Sequence, residues 1–241
     1  MEEEKTLKIT HVADLLNMKF NIPSYQRGYR WEKKHVEALL DDLYSFTVQI
    51  NETLNRQGKF YCIQPLAVVE NKELSSDAGI VYDVIDGQQR LTTLYLLLSY
   101  LEDARRFIYT GNLATSIFTL KYESRDSEFF ENKEFKKCKD ISEAINNIDF
   151  FYMTRAYRTI DSWFETKGIS KSVILKVLIP ENYRDISQLL GDELENAQTE
   201  NDKNNDVRFI WYHVPTKKNV DSIEVFSQLN YGKTPLTATE L

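Results

Sequence analysis

The hydrophobic pattern changes once within residues 80–101, and the change falls on a single glycine. Residues 80–82 are β-branched or aromatic, which is typical of a short buried strand. Asp86 and Gly87 follow, a pair typical of a sharp turn. After Arg90, leucines recur at helical spacing: Leu91, Leu94, Leu97, Leu98 and Leu101. The sequence therefore predicts a strand, a tight glycine turn and a helix.

Such a junction is chemically suited to an anion. The first N–H groups of a helix have no partner inside it, and the helix dipole adds positive charge at the same end, so a phosphate can bind there. Arg90 falls in the first predicted turn, where its guanidinium can reach the same anion. Gln88 and Gln89 offer amides that donate and accept, and Asp86 offers the hard oxygen that Mg²⁺ prefers.

A purely structural role explains the same residues. Asp86 can simply cap the helix, and a Gln-Gln-Arg run in a first turn is often only solvated. The chain has neither a Walker-type glycine loop ending in Lys-Ser or Lys-Thr nor a G-x-G-x-x-G sequence. A nucleotide would therefore have to bind through a different architecture.

A second polar stretch lies upstream, at residues 25–31. It interleaves aromatic rings with amide and guanidinium groups: Tyr25, Gln26, Arg27, Tyr29, Arg30 and Trp31. Aromatic rings beside arginines can stack on a base or hold a phosphate. The alternative is a surface loop whose rings anchor it to the core while its arginines stay in water.

Three stretches, in this order, resemble the motifs of one family. They are Ile-Pro-Ser-Tyr-Gln-Arg-Gly-Tyr-Arg-Trp at 22–31, Asp-Gly-Gln-Gln-Arg-Leu-Thr-Thr-Leu at 86–94, and Phe-Ser-Gln-Leu-Asn at 226–230 followed by Gly232 and Leu236. They are similar to the signature of the GmrSD restriction endonuclease N-terminal domain family, also called domain of unknown function 262. The alternative for Asn230 is a structural role, in which it adopts the left-handed conformation and ends a helix at 222–229.

The resemblance implies an α+β fold: a small ParB/sulfiredoxin-like mixed sheet with packed helices, plus a helical subdomain. The chain would divide into a ParB-like nucleotide-binding core at 1–110, a mainly helical insertion at 111–206, and a return strand and helix at 207–241 that complete the pocket. Together these would form one family domain. Family members commonly continue into an HNH-type nuclease domain, so we expect the chain to be truncated before one.

The resemblance also implies an activity, namely nucleoside triphosphate binding and hydrolysis in anti-phage restriction systems that attack modified DNA. The cofactor would be Mg²⁺ with GTP, ATP or CTP. The implied catalytic residues are Asp86, Gln89 and Arg90, with Asp86 also holding Mg²⁺. The implied nucleotide-binding residues are Gln26, Arg27, Gly87, Gln88, Arg90, Thr92 and Asn230. Tyr25 and Arg30 would sense the modified DNA.

Charge and composition limit the partners. The formal net charge is −7 at pH 7, whereas a domain that grips duplex DNA through its phosphates is usually basic. DNA contacts should therefore be local or come from another part of the protein.

The acidic start of the chain is not a secretory signal and no apolar run is long enough for a bilayer, so we expect a cytoplasmic protein without membrane contact. Cys62 and Cys138 are predicted to be free thiols.

Three functions stay open on the sequence. The first is a nucleotide-hydrolysing domain that regulates a nuclease, in cis or as a partner subunit, and that can also self-associate. The second is a module that binds nucleotide or DNA without turnover. The third, a ParB-like nuclease, ranks last because no cluster of carboxylates with a nearby lysine, as two-metal chemistry needs, surrounds the glycine motif.

The local sequence makes four further predictions. Thr10 should cap a short helix that runs to Leu16. The strand at 60–70 contains Pro65, which predicts an edge position or a bulge. The helix after Arg90 should run to about Ile108. Residues 196–206 are almost entirely polar and should form a solvated, mobile loop.

Overall fold

The computed structural model describes residues 6–52, 57–77, 79–123, 133–137, 147–186 and 189–214. The predicted helix at 222–229, Asn230 and Cys138 lie outside the described residues. Among the described helices, none combines the length and the apolar character that a membrane crossing requires.

Six strands form one mixed sheet. Their bounds are β1 Thr6–His11, β2 Lys19–Ile22, β3 Phe60–Glu70, β4 Val81–Asp86, β5 Thr119–Tyr122 and β6 Asp206–His213. In space they follow the order β1-β6-β3-β4-β2-β5. β1 and β6 are antiparallel, as are β3 and β4, whereas β2 runs parallel to β4 and β5, and β3 runs parallel to β6. The mixed sheet with packed helices confirms the predicted fold class, while its likeness to ParB stays a prediction.

Helices pack around this sheet. The described ones are a 3₁₀ helix at Val12–Asn17, α1 Lys33–Glu52, α2 Gln88–Tyr100, α3 Glu102–Ile108, α4 Gly111–Thr115, α5 Glu134–Lys137, α6 Ile148–Lys167, α7 Lys171–Leu178 and α8 Gly191–Asp202. Gly168 ends α6 in the left-handed conformation, and the Ser170 side chain accepts from the Ser172 N–H to cap α7. Both boundaries follow from the local sequence.

Pro65 lies in a bulge of an interior strand. β3 pairs with β6 on one side and β4 on the other, and its register against β6 shifts between Cys62 and Pro65. Gln64, immediately before the proline, has φ 90°. The predicted bulge is therefore confirmed and the edge position is wrong, because the irregular backbone removes the need for a proline N–H in the ladder.

The helix after Gly87 is the buried centre of the fold, as predicted. Leu91, Leu94, Leu97 and Leu98 are all fully buried. The prediction of one helix to Ile108 is wrong, because α2 ends at Tyr100 and Leu101 has ψ 3° at the boundary with α3. Periodicity alone does not reveal such a bend, since apolar residues continue across it.

Two further predictions are corrected. Residues 196–206 form no simple loop, because α8 extends to Asp202 with Ala197 and Asn201 on its buried side. The Asn201 amide donates to the Arg184 carbonyl and accepts from the Arg184 N–H, both at 2.9 Å, which holds this polar helix in place. His11 is the N-cap residue of the short helix near the N-terminus, and its N–H donates to Asp14 Oδ2 within that helix, whereas Thr10 belongs to β1.

One hydrophobic core joins the sheet to the helices. Its buried members include Phe20 on β2, Leu97 on α2, Ile160 on α6 and Phe209 on β6. α6 packs against both α1 and α2. The described helices of the predicted insertion at 111–206 thus share a core with the first segment, and the division into three segments stays a prediction.

Candidate functional site

The predicted strand, turn and helix are present at residues 86–90, hereafter the glycine junction. β4 ends at Asp86, Gly87 has φ 95°, and α2 begins at Gln88. A Cβ on Gly87 would lie 3.0 Å from the Pro65 carbonyl oxygen and 3.1 Å from Leu66 Cδ1. The left-handed backbone and this close approach both require glycine.

The bulge of β3 presses against the glycine junction. Its Gln64 is a non-glycine residue at positive φ, a conformation that costs free energy and often accompanies functional sites. The carbonyl oxygen of Pro65 faces Gly87 and is also 3.5 Å from Arg90 Nη2. The bulge therefore packs directly against the first turn of α2.

Residues 23–31, hereafter the aromatic–arginine loop, contact the glycine junction directly. The amide of Gln26 donates to the Ile85 carbonyl at 2.9 Å, at the end of β4. From the other side, the amide of Gln88 donates to the Arg27 carbonyl at 2.8 Å. The two motifs that the sequence separates by about sixty positions therefore form one site.

Gln89 uses both ends of its amide to hold the same loop. Its nitrogen donates to the Gly28 carbonyl at 3.0 Å, and its oxygen accepts from the Arg30 N–H at 2.8 Å. Because Gln89 is buried, these bonds satisfy groups that water cannot reach. Gln26 and Gln89 are thus positioning residues in this arrangement.

Two buried polar atoms at the junction have no hydrogen-bond partner among the described residues. Gln88 is 6% exposed, and its Oε1 makes no hydrogen bond to any described residue. Arg90 Nε is in the same condition. Such orphaned groups are rare and costly in native proteins, so each calls for an explanation. A ligand at the start of α2 would satisfy both if it carried an acceptor for Arg90 Nε, such as a phosphate oxygen, and a donor for Gln88 Oε1, such as a hydroxyl group.

Burial dominates the electrostatics of Arg90. It lowers the pKa of the guanidinium, while the neighbouring Asp86 carboxylate and the Tyr61 hydroxyl act in the opposite direction. The contact between Arg90 Nη2 and the Pro65 carbonyl is at the limit of a hydrogen bond, so it holds the side chain only weakly. A half-buried arginine with spare donors can engage a phosphate bidentately.

Asp86 is the acidic residue at this site, half-buried at the end of β4. No group of three or more His, Cys, Asp or Glu side chains in the described part of the chain could form a complete metal site. Mg²⁺ does not require one, since it is commonly held by one or two carboxylates, water and the phosphates of a nucleotide. Asp86 fits that role as a single ligand.

The arginines of the loop differ in their surroundings. Arg27 is exposed, whereas Arg30 forms an ion pair with the fully buried Asp149 at the start of α6. The Arg30 guanidinium also lies 5.5 Å from the ring centroid of Tyr152. A Cβ on Gly28 would overlap the Asp149 carboxylate, so any larger residue would force that buried side chain to move.

The remaining predicted residues divide between core and site edge. The Thr92 hydroxyl lies 2.7 Å from the Tyr122 hydroxyl, inside the core between α2 and β5. Tyr29 is fully buried, burial raises its pKa, and its hydroxyl lies 2.9 Å from Thr93 Oγ1. Tyr25 is half-buried. The roles assigned to these residues, and to Asn230 beyond the described part, stay predictions.

Sequence reasoning missed Asp149 altogether. It lies 119 positions from its partner Arg30, and its local sequence indicates only the start of a helix, where Asn147 accepts from the N–H of Asp149. A buried acid next to a capping asparagine carries no local signal of a distant arginine. Only the folded chain brings it to the loop.

Together, the mixed sheet and the glycine junction define a domain with a candidate anion site at a strand-to-helix turn. The GmrSD restriction endonuclease N-terminal domain family matches residues 12–241. The chain therefore belongs to this family, which places it among restriction and defence proteins. None of the curated proteins compared with the chain matches it.

Proposed function

We propose that the chain is the nucleoside triphosphate-binding and hydrolysing regulatory domain of a restriction protein that acts on modified DNA. The observation that carries the proposal is Gln88 Oε1, an amide oxygen that is buried, without a partner among the described residues, and placed in the first turn of α2. The same turn presents backbone N–H groups and the positive end of a helix dipole, which favour a phosphate. The amide oxygen needs a donor instead, such as a ribose hydroxyl or a base N–H, so the two features together match a nucleotide.

The residues would share the work as follows. The first N–H groups of α2 hold phosphate oxygens, and Arg90 turns from the Pro65 carbonyl to the same phosphates. Gln88 Oε1 accepts a hydrogen bond from a hydroxyl or N–H group of the nucleotide. Arg27, exposed at the loop, adds a second positive charge. Gln26 and Gln89 keep the loop in register with the junction.

Phosphoryl transfer needs mainly positioning and charge compensation, so no strong general base is required. In the proposal, Asp86 holds Mg²⁺ or polarises the attacking water. When bound with GTP, ATP or CTP, Mg²⁺ supplies neutralisation of the phosphate charge. Arg90 would stabilise the charge that develops on the transferred phosphoryl group.

The family suggests that DNA and a nuclease domain take part. In our proposal the nuclease is present in cis or as a partner subunit, and the protein works in the cytoplasm. The half-buried Tyr25 would relay the presence of modified DNA to the nucleotide. We expect Tyr25→Ala to abolish DNA stimulation of hydrolysis while basal hydrolysis persists; unchanged stimulation would reject this role.

The test of the proposal has two stages. A thermal-shift screen with ATP, GTP, CTP and UTP, each with Mg²⁺, should show a rise in melting temperature for at least one, because a ligand that binds the native state stabilises it. Phosphate release should then be detected with the same nucleotide. A Gln88→Leu variant, similar in size but without the amide, should lose the shift, whereas Gln198→Leu, at an exposed position of α8, should keep it. No shift with any triphosphate would contradict the proposal.

One observation favours a second function, a module that binds nucleotide without hydrolysis. The amides of Gln26 and Gln89, which would otherwise orient an attacking water, are already bonded to backbone groups. A thermal shift without phosphate release, with and without DNA, would support this alternative. No comparable observation among the described residues favours a nuclease centre.

A further inference from the structure

A groove of about 660 Å³ runs beside β1, away from the glycine junction. β1 is the first strand in the order of the described sheet, and its strand partner is β6. The other edge of β1 therefore has no neighbouring strand among the described residues. An unpaired edge is a ready template for another extended chain.

Hydrogen bonds of β6 fix which way its backbone faces. The N–H of Asp206 donates to the Lys59 carbonyl at 3.1 Å, and the N–H of Val214 donates to the Val68 carbonyl at 2.8 Å. Even-numbered residues of β6 therefore point towards β3. Odd-numbered residues of β6 point towards β1, because successive residues of a strand alternate in direction.

The same alternation settles the direction of β1. The odd-numbered residues of β6 pair with even-numbered residues of β1, so Leu7, Ile9 and His11 point their N–H and C=O groups away from the sheet. His11 agrees, since its N–H donates to Asp14 Oδ2 at 3.1 Å rather than to β6. In the described part of the chain, no hydrogen bond occupies the outward groups of Leu7 or Ile9.

The groove follows this free edge. Four consecutive residues, Lys8 to His11, line it, which indicates a groove along the backbone rather than against one face of the strand. The lining also includes Ile186 and, from α8, Leu194 and Gln198. The side chains of Leu7 and Ile9 are 67% and 46% exposed, so an apolar strip accompanies the free backbone groups.

The lining of the groove carries a net negative charge. Three carboxylates line it, from Asp14, Asp185 and Asp202, against the cations Lys8 and His11. His11 and Arg208 form a neutral cluster with Asp202 and Asp206: His11 lies 2.5 Å from Asp206 Oδ2 and 3.2 Å from Asp202 Oδ1, and Arg208 lies 2.6 Å from Asp206 Oδ1 and 3.0 Å from Asp202 Oδ1. Asp14 and Asp185 therefore remain against Lys8 in the lining of the groove. The net charge of −7 adds to the attraction for a cationic partner.

We infer that this groove binds an extended, basic peptide segment of a partner protein, which adds a strand to β1. The main chain of the peptide pairs with the outward groups of Leu7 and Ile9, and its basic side chains face Asp14 and Asp185. Pairing to a strand edge supplies affinity through the backbone, and the flanking side chains supply selectivity. The inference is independent of the nucleotide site.

The test uses labelled peptides and the whole chain. A peptide of alternating valine and lysine should bind with a Kd on the order of micromolar. Methylation of its alternate amide nitrogens removes the strand-pairing donors and should weaken binding about tenfold or more. A peptide with glutamate in place of lysine should not bind. Equal binding of the methylated or the glutamate peptide, or no binding of the lysine peptide, would overturn the inference.

Variants of the chain give the matched controls. Ile9→Pro removes an outward donor without touching the ladder to β6, so it should fold and lose the peptide, whereas Ile9→Val should bind normally. Gln198→Trp places a large side chain from α8 into the groove and should also block binding. Asn196→Trp, at an exposed position of the same helix outside the groove, should leave binding unchanged. If Ile9→Pro fails to fold, the comparison of Gln198→Trp with Asn196→Trp tests whether the peptide binds in the groove.

A second copy of the chain is the competing occupant. Sedimentation velocity without peptide separates the two, because β1 edges that pair with each other would give a dimer that Ile9→Pro converts to monomer. That result would overturn the assignment to a basic partner. A chain whose mass is unchanged by Ile9→Pro, together with binding of the lysine peptide alone, supports it.

Discussion

The side-chain amide of Gln88 donates a hydrogen bond of 2.8 Å to the backbone carbonyl of Arg27. This bond joins the aromatic–arginine loop to the glycine junction across 61 positions of sequence. The oxygen of the same amide stays buried and without a partner among the described residues. One end of Gln88 therefore builds the site, and the other end is available to a ligand.

Gln89 should matter more for stability than for ligand contact. Gln89→Ala leaves the Gly28 carbonyl and the Arg30 N–H without their partner, at about 1–3 kcal/mol for each buried group that stays unsatisfied. Urea unfolding should show that loss, whereas Gln198→Ala on the exposed side of α8 should change stability by no more than about 0.5 kcal/mol. Equal effects from the two variants would mean that Gln89 does not hold the loop.

Gly87→Ala should disturb the glycine junction severely. The left-handed backbone alone costs a non-glycine residue about 1–2 kcal/mol, and the new Cβ would also press on the Pro65 carbonyl. Gly168→Ala is the matched control, because its φ is also positive but nothing lies within 4 Å of its Cβ. Thermal unfolding should therefore rank Gly87→Ala well below Gly168→Ala. A reversed ranking would contradict the close packing of the junction.

Gly28 and Asp149 should be energetically coupled. Gly28→Ala places a methyl group against the buried carboxylate, so the single variant should be strongly destabilised. Asp149→Ala removes that clash but leaves Arg30 without its ion-pair partner. In a double-mutant cycle, Asp149→Ala should therefore cost less in the Gly28→Ala background than alone, with a coupling on the order of 0.5–3 kcal/mol. Additive effects would show that the two residues do not press on each other.

The stability contributed by His11 should depend on pH. Burial acts to lower the pKa of His11, and the nearby charge of Arg208 adds a smaller effect in the same direction. The hydrogen bond and charge of Asp206 and the charge of Asp14 outweigh both, so the pKa is raised above 6.5. A raised pKa means that the contribution is fully present below pH 6.5 and is lost as pH rises through the folded-state pKa.

His11→Gln tests this sign directly. The gap in melting temperature between the wild type and the variant should be largest near about pH 6 and should shrink on the alkaline side. A gap that grows with pH would show that the histidine is held in its neutral form.

The sequence predicts those elements whose cause is local. The leucine period after Arg90 reflects a helix buried on most sides, and Gly168 and Ser170 mark boundaries by their own backbone preferences. Pro65 signals an irregular strand, although only the fold decides that the irregularity is a bulge between two neighbours. The bend at Leu101 leaves no mark, because apolar residues continue on both sides.

The site is predictable in position but not in detail. A polar, glycine-containing turn between a strand and a helix points to residues 86–90. Nothing in the local sequence indicates that the side-chain amides of Gln26 and Gln89 donate hydrogen bonds to backbone carbonyl groups. Residues 196–206 show the same limit, since their polarity suggests a loop while Asn201 finds a buried partner in the Arg184 backbone. Long-range hydrogen bonds of this kind have no sequence period.

The most direct test of nucleotide hydrolysis at the glycine junction is phosphate release by Arg90→Ala, measured together with its melting temperature. The weak contact of Arg90 with the Pro65 carbonyl and the helix propensity of alanine predict nearly normal folding. Turnover should fall about a hundredfold, the effect of losing one donor that acts on the transition state. Arg106→Ala, which removes an exposed arginine of α3, should keep full activity. Full activity in a folded Arg90→Ala protein would contradict the proposed mechanism, and lost activity with a collapsed melting temperature would show that Arg90 is structural.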